Sequence, residues 1–96
     1  MAAHDFVATI RLLPTEAGGR EGPLLSGEWR TILRAHGENW SARLIFSGQH
    51  GPGQSFVSEV QLLVPEIALP FFSVGVEFTV WEGSPKGVGQ VVALAT

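Results

Sequence analysis

The side chains that could do chemistry in this sequence are few and scattered. Its three histidines, His4, His36 and His50, stand far apart. They lack the i, i+4 spacing that puts two imidazoles on one helix face around a metal. Ser47, Ser55 and Ser58 lie near His50 in sequence, but no nucleophile-elbow pattern surrounds them. The nine acids occur singly, so no carboxylate pair suited to general acid–base work is readable. Cysteine is absent, which excludes disulfides, thiolate metal sites and thiol nucleophiles. The one lysine, Lys86, follows Pro85, so the glycine-lysine end of a phosphate-binding loop is missing. The expectation is a protein that is not an enzyme and carries no cofactor, no metal and no nucleotide.

Two features suit binding better than catalysis. Gly18 and Gly19 precede Arg20 in the run Glu16-Ala17-Gly18-Gly19-Arg20. Consecutive glycines allow positive φ and close backbone approach, so Arg20 could be offered to a phosphate. The plainer reading is a simple turn in which Arg20 pairs with a loop acid. The second feature is the tryptophan set, Trp29, Trp40 and Trp81. Trp40 shares its alternation face with Leu44 and Phe46 and is expected in the core. Trp81 opposes the face formed by Val76, Phe78 and Val80, so it is expected to point outward. Beside Phe71 and Phe72 it would form an apolar patch of the kind that marks interfaces.

These residues need a scaffold, and composition bounds it. The chain has 96 residues, 45% of them hydrophobic and 16% charged. That is one small globular domain and not a disordered chain. A membrane span needs about 20 consecutive apolar residues, and no run approaches that. Residues 1–5 show no basic stretch leading into an apolar core, which gives the expectation of a cytoplasmic protein. The net charge of −3 disfavours nucleic acid, whose binding rests on phosphate contacts from basic residues.

Twelve glycines and six prolines punctuate the chain at short intervals, and alternating segments lie between them. Strands are expected at residues 5–13, 28–35, 40–46, 56–64, 76–81 and 88–94. Gly37 to Asn39 reads as a tight connection, residues 47–55 as a loop, and residues 67–72 as a buried crossing segment broken by Pro70. No helix is expected. Six short strands in so small a domain point to an all-β fold, a six-stranded antiparallel closed β-barrel, in which closure removes exposed edges.

Three stretches, in order and in register, resemble the C-terminal (third) β-barrel domain of elongation factor Tu. The first is residues 8–27, ATIRLLPTEAGGREGPLLSG, similar to that family's strand, Glu-x-Gly-Gly-Arg loop and second strand start. The second is residues 52–68, PGQSFVSEVQLLVPEIA, similar to its Pro-Gly turn, strand and Pro-Ile-Ala segment, with Glu66 as one extra residue. The third is residues 75–92, GVEFTVWEGSPKGVGQVV, similar to its Gly-Leu-Arg-Phe strand, Glu-Gly turn and Val-Gly-x-Gly-Val-Val strand. The resemblance implies the same six-stranded barrel without the GTPase and second domains. It also implies candidate contacts to the tRNA T-stem through Arg20, Arg30, Glu82 and Gly83. Ser84-Pro85-Lys86 departs from the family's turn, residues 35–39 replace its Asp-Val-Thr-Gly turn, and Trp81 stands where the family tends to carry charge.

Two functional expectations follow, both non-catalytic. One is a stand-alone protein-interaction module, binding a partner or a second copy of itself, with Trp81 in the contact. The other is a translation-associated RNA module on the tRNA acceptor and T-stem. The acidic balance favours the first.

Overall fold

The computed structural model describes residues 4–19, 23–25 and 27–95. Six strands form an antiparallel closed barrel: β1 (Phe6–Leu12), β2 (Gly27–Ala35), β3 (Glu38–Phe46), β4 (Ser55–Leu62), β5 (Glu77–Trp81) and β6 (Pro85–Leu94). Their order around the wall is β1-β4-β3-β2-β5-β6. Each hydrogen-bonded neighbour runs antiparallel.

Alternation builds the wall. On β1, Phe6, Ala8, Ile10 and Leu12 are fully buried, while Thr9 and Arg11 face solvent. On β2, Trp29, Thr31, Leu33 and Ala35 turn inward. Glu28, Arg30 and Arg34 face out, with Ile32 half-buried on the same side. Residues 28–35 therefore satisfy a strand period of 2 rather than a helical one.

The β2–β3 connection is tighter than Gly37 to Asn39. Ala35 pairs with Glu38, leaving a two-residue turn of His36 (φ 53°) and Gly37 (φ 77°). Positive φ at both central positions matches the twist of the flanking strands, which is why glycine serves there.

Aromatic packing fills both ends of the barrel. Phe6 stacks on Phe72 at 5.1 Å, and Phe78 meets them edge-on at 6.3 and 5.8 Å. Burying a phenylalanine in this way contributes about 1.5–3 kcal/mol. Gly89 makes the space: a Cβ there would lie 2.4 Å from Cζ of Phe78. At the other end Phe46 packs on Phe56 at 5.0 Å, and His50 stacks flat on Phe56 at 4.2 Å. His50 is held there by paired backbone bonds with Leu24, at 2.7 and 2.9 Å.

Two prolines begin helical turns. Pro65 opens a short helix α1 (Pro65–Ala68), and Pro70 sits at the start of a 3₁₀ turn, Leu69–Phe71. Proline suits a first helical turn because its missing N–H has no intrahelical partner there. The segment is thus helical, against the expectation of none. It plugs the barrel with Ala68 and Phe72, both fully buried, while Ile67 is exposed. β4 ends at Leu62, so Val64 is half-buried rather than a strand residue.

Candidate functional site

The outer wall carries a groove of about 830 Å³ where β2 and β3 meet the ends of β4 and β5. Its shape follows from unequal strand lengths. β2 has nine residues and pairs with β3 along all of them, but its ladder to five-residue β5 covers only Ile32 to Arg34. Similarly, β3 pairs with β4 only from Ala42 to Ile45, and one further bond runs from the Leu63 N–H to the Ser41 carbonyl at 3.0 Å.

Register places one row of outward side chains across four chain segments. Trp81 pairs with Ile32, Ile32 pairs with Ser41, and Ser41 is bonded to Leu63. This row is the floor: Trp81 and Ile32 are half-buried, Ser41 is exposed, and Leu63 is 73% exposed. Two residues along each strand the next row is polar. Arg30 pairs with Arg43, and Arg43 pairs with Gln61. On the opposite side, Arg34 pairs with Asn39 and lays its guanidinium 4.1 Å above the Trp81 ring. A guanidinium over indole is attractive, by about 0.5–1 kcal/mol at an exposed site.

The charges of this face are organised around Glu28. Its Oε2 accepts from Arg30 Nε at 3.0 Å and lies 3.6 Å from Arg43 Nη1. The hydrogen bond from Arg30, reinforced by the positive charge of Arg43, holds the Glu28 carboxyl below the usual glutamate range. Arg43 also donates to Oε1 of Gln61. Arg34 donates to Oδ1 of Asn39 at 2.9 Å. The groove lining holds Arg30 and Arg43 against Glu82, +1 in a chain of −3, which leaves −4 elsewhere.

The groove brings together four of the five residues singled out from sequence: Arg30, Trp81, Glu82 and Gly83. Arg20 lies outside the described residues. Arg30 is open, with 79% of its side chain exposed. Glu82 is tied to the core, because its Oε2 accepts the indole N–H of buried Trp29 at 2.8 Å. Gly83 turns the chain with φ 76°, beside a Glu82 N–H to Ser84 carbonyl bond of 3.0 Å. Glu82 thereby anchors the β5–β6 turn that forms one wall.

The apolar patch expected from Trp81 with Phe71 and Phe72 does not form. Phe72 is fully buried against Phe6 and Phe78. Phe71 packs on Trp40 and His36, at 5.1 and 6.0 Å. The helical plug turns both phenylalanines toward the barrel, and the pleat leaves Trp81 on the outside. Trp40 joins the core margin as a half-buried residue. Arg43, Ile32 and Leu63 escaped the sequence reading. Alternation marks Arg43 and Ile32 as outward, but only register makes them neighbours of Trp81.

The other chemistry-bearing groups are dispersed. His4 Nδ1 lies 3.5 Å from Glu59 Oε2, and His50 Nε2 lies 2.9 Å from the Ser47 carbonyl. Buried Ser58 donates to the backbone carbonyls of Glu59 and Ile45, at 2.8 and 3.2 Å. Among the described residues no group of three His, Cys, Asp or Glu could hold a metal ion. No helix among them is long and apolar enough to cross a membrane. The fold and groove define a small closed β-barrel with an arginine-rimmed outer face. No protein-family model matches the chain, and no curated protein matches it.

Proposed function

We propose that this barrel is a non-catalytic interaction module of the cytoplasm that docks a protein partner in the groove on its outer wall. The observation that carries this reading is the convergence of Trp81, Ile32 and exposed Leu63 on one floor between arginine rims. An aromatic and aliphatic centre flanked by arginine is the composition of interface hot spots. A second copy of the chain is the alternative occupant, since the rest of the chain is acidic and the groove lining is basic.

A second reading rests on the resemblance to the third domain of elongation factor Tu. Arg30, Glu82 and Gly83, which that likeness implies as T-stem contacts, stand together at this groove. The overall −3 charge and the engagement of Glu82 by Trp29 weigh against it. Photo-crosslinking separates the two. A benzophenone-bearing phenylalanine is placed at Ser41 on the floor, or at exposed Thr9 on β1 across the barrel. The protein reading expects a discrete, RNase-resistant adduct from position 41 and none from position 9. An RNase-sensitive adduct, or identical adducts from both positions, contradicts it.

A further inference from the structure

We propose that the groove recognises a short acidic segment of its partner, in which an apolar side chain is flanked by carboxylates. This rests on the protein-docking reading and names the chemistry of the occupant.

The dimensions set the length. Four neighbouring chain segments about 4.8 Å apart make a floor about 14 Å long, which an extended peptide crosses in four to five residues. The floor offers Ile32 and the open side of Trp81 to one apolar side chain, and Leu63 extends that surface at the far end. The rims lie two residues away along each strand, about 7 Å from the floor. That is within reach of glutamate or aspartate side chains on a bound chain.

The rims specify charge. Arg30 and Arg43 stand side by side on one rim, and Arg34 stands on the other. Guanidinium forks match carboxylates bidentately. Glu28 holds Arg30 and Arg43 together through one oxygen, Oε2. Glu28 therefore occupies, from within the chain, the position that a partner carboxylate would take. Competition from Glu28 sets the affinity of this rim.

A nucleic acid suits the same groove less well. Phosphate tracking needs a basic field extending over many charges. Here the basic face is short and the rest of the chain carries −4. That acidic remainder repels a long polyanion while leaving a short acidic peptide free to align.

The test is a titration of ¹⁵N-labelled protein followed by NMR, with three capped pentapeptides as probes: Glu-Glu-Phe-Glu-Glu, Gln-Gln-Phe-Gln-Gln and Glu-Glu-Ser-Glu-Glu. The first should shift the Trp81 indole N–H and the amides of Ile32, Ser41 and Arg43. The other two should bind at least 5-fold more weakly. Arg43→Gln should weaken the first peptide about 5-fold. Glu28→Gln should strengthen it 2- to 5-fold, a gain that misfolding cannot produce. Absent shifts at millimolar peptide, equal binding of the glutamine peptide, or shifts centred on Arg11 and Val88 overturn the inference. So does an RNA acceptor-stem hairpin that binds these residues more tightly at about 150 mM salt. If position 41 crosslinks a protein while the acidic peptide does not bind, the acidic-segment inference falls and the docking reading stands.

Discussion

Glu82→Ala removes the acceptor from the Trp29 indole, and its consequences can be worked from geometry. Trp29 is 7% exposed, and its N–H meets Glu82 Oε2 at 2.8 Å. A hydrogen bond to a charged group contributes about 1.5–3 kcal/mol. For a domain of this size 1 kcal/mol moves Tm by about 4–8 °C, so the variant should melt about 6–24 °C lower. The lost packing of the glutamate stem must be separated from the lost bond. A double-mutant cycle with Trp29→Phe does so, because the phenylalanine has no donor. In that background Glu82→Ala should cost less than about 0.5 kcal/mol, giving a coupling above about 1 kcal/mol. Glu82→Gln, which keeps a carbonyl acceptor, should fall between wild type and alanine. Urea denaturation of the four proteins measures the cycle. If Glu82→Ala costs the same in both backgrounds, the bond holds nothing, and Glu82 is not the anchor of the β5–β6 turn.

Other perturbations read other parts of the structure. Gly89→Ala puts a Cβ 2.4 Å from a Phe78 ring already packed edge-on against the stacked Phe6 and Phe72. It should cost about 1–3 kcal/mol in chemical denaturation, and a neutral result would mean that the aromatic cluster is loosely packed. Thr31 is 8% exposed, and its hydroxyl has no hydrogen-bond partner among the described residues. Thr31→Val should therefore raise Tm, by up to about 1–2 kcal/mol in stability, and a fall would reveal a partner for that hydroxyl. Glu28 has a depressed folded-state pKa, so its contribution is present above the unfolded glutamate pKa and is lost as pH falls through the folded value. The Tm of wild type should exceed that of Glu28→Gln at pH 7, and the gap should close as the pH falls below the usual glutamate range. It should also close in about 1 M salt, because the cluster is solvent-exposed.

The strands were legible because their alternation is clean. Trp40, Ala42, Leu44 and Phe46 share one face in the chain as they do in β3. Phe6, Ala8, Ile10 and Leu12 do the same in β1. A six-stranded closed barrel follows from such strands between regular breakers. The segment after β4 was harder, because proline both ends strands and starts helical turns. Local pattern does not choose between them; burial of Ala68 and Phe72 against the barrel does. The groove was half legible for a similar reason. Parity turns Arg30, Ile32, Arg43 and Trp81 outward, and the Glu82-Gly83 turn stands out by composition. That Trp81, Ile32, Ser41 and Leu63 form one row depends on register between strands distant in sequence, such as β2 with β5. The double use of Glu82 depends on the same long-range pairing, since Trp29 is 53 residues away.

The claim at the centre of this account is that the β2–β3 groove docks a protein segment. Competition at Ser41 tests it most directly. The benzophenone variant at that position is irradiated with its native lysate, with and without excess Glu-Glu-Phe-Glu-Glu peptide. The account predicts a discrete protein adduct that the acidic peptide suppresses and the glutamine peptide does not. An adduct that is RNase-sensitive, or that forms as readily from position 9, contradicts it; one that persists equally with either peptide overturns the acidic-segment inference alone.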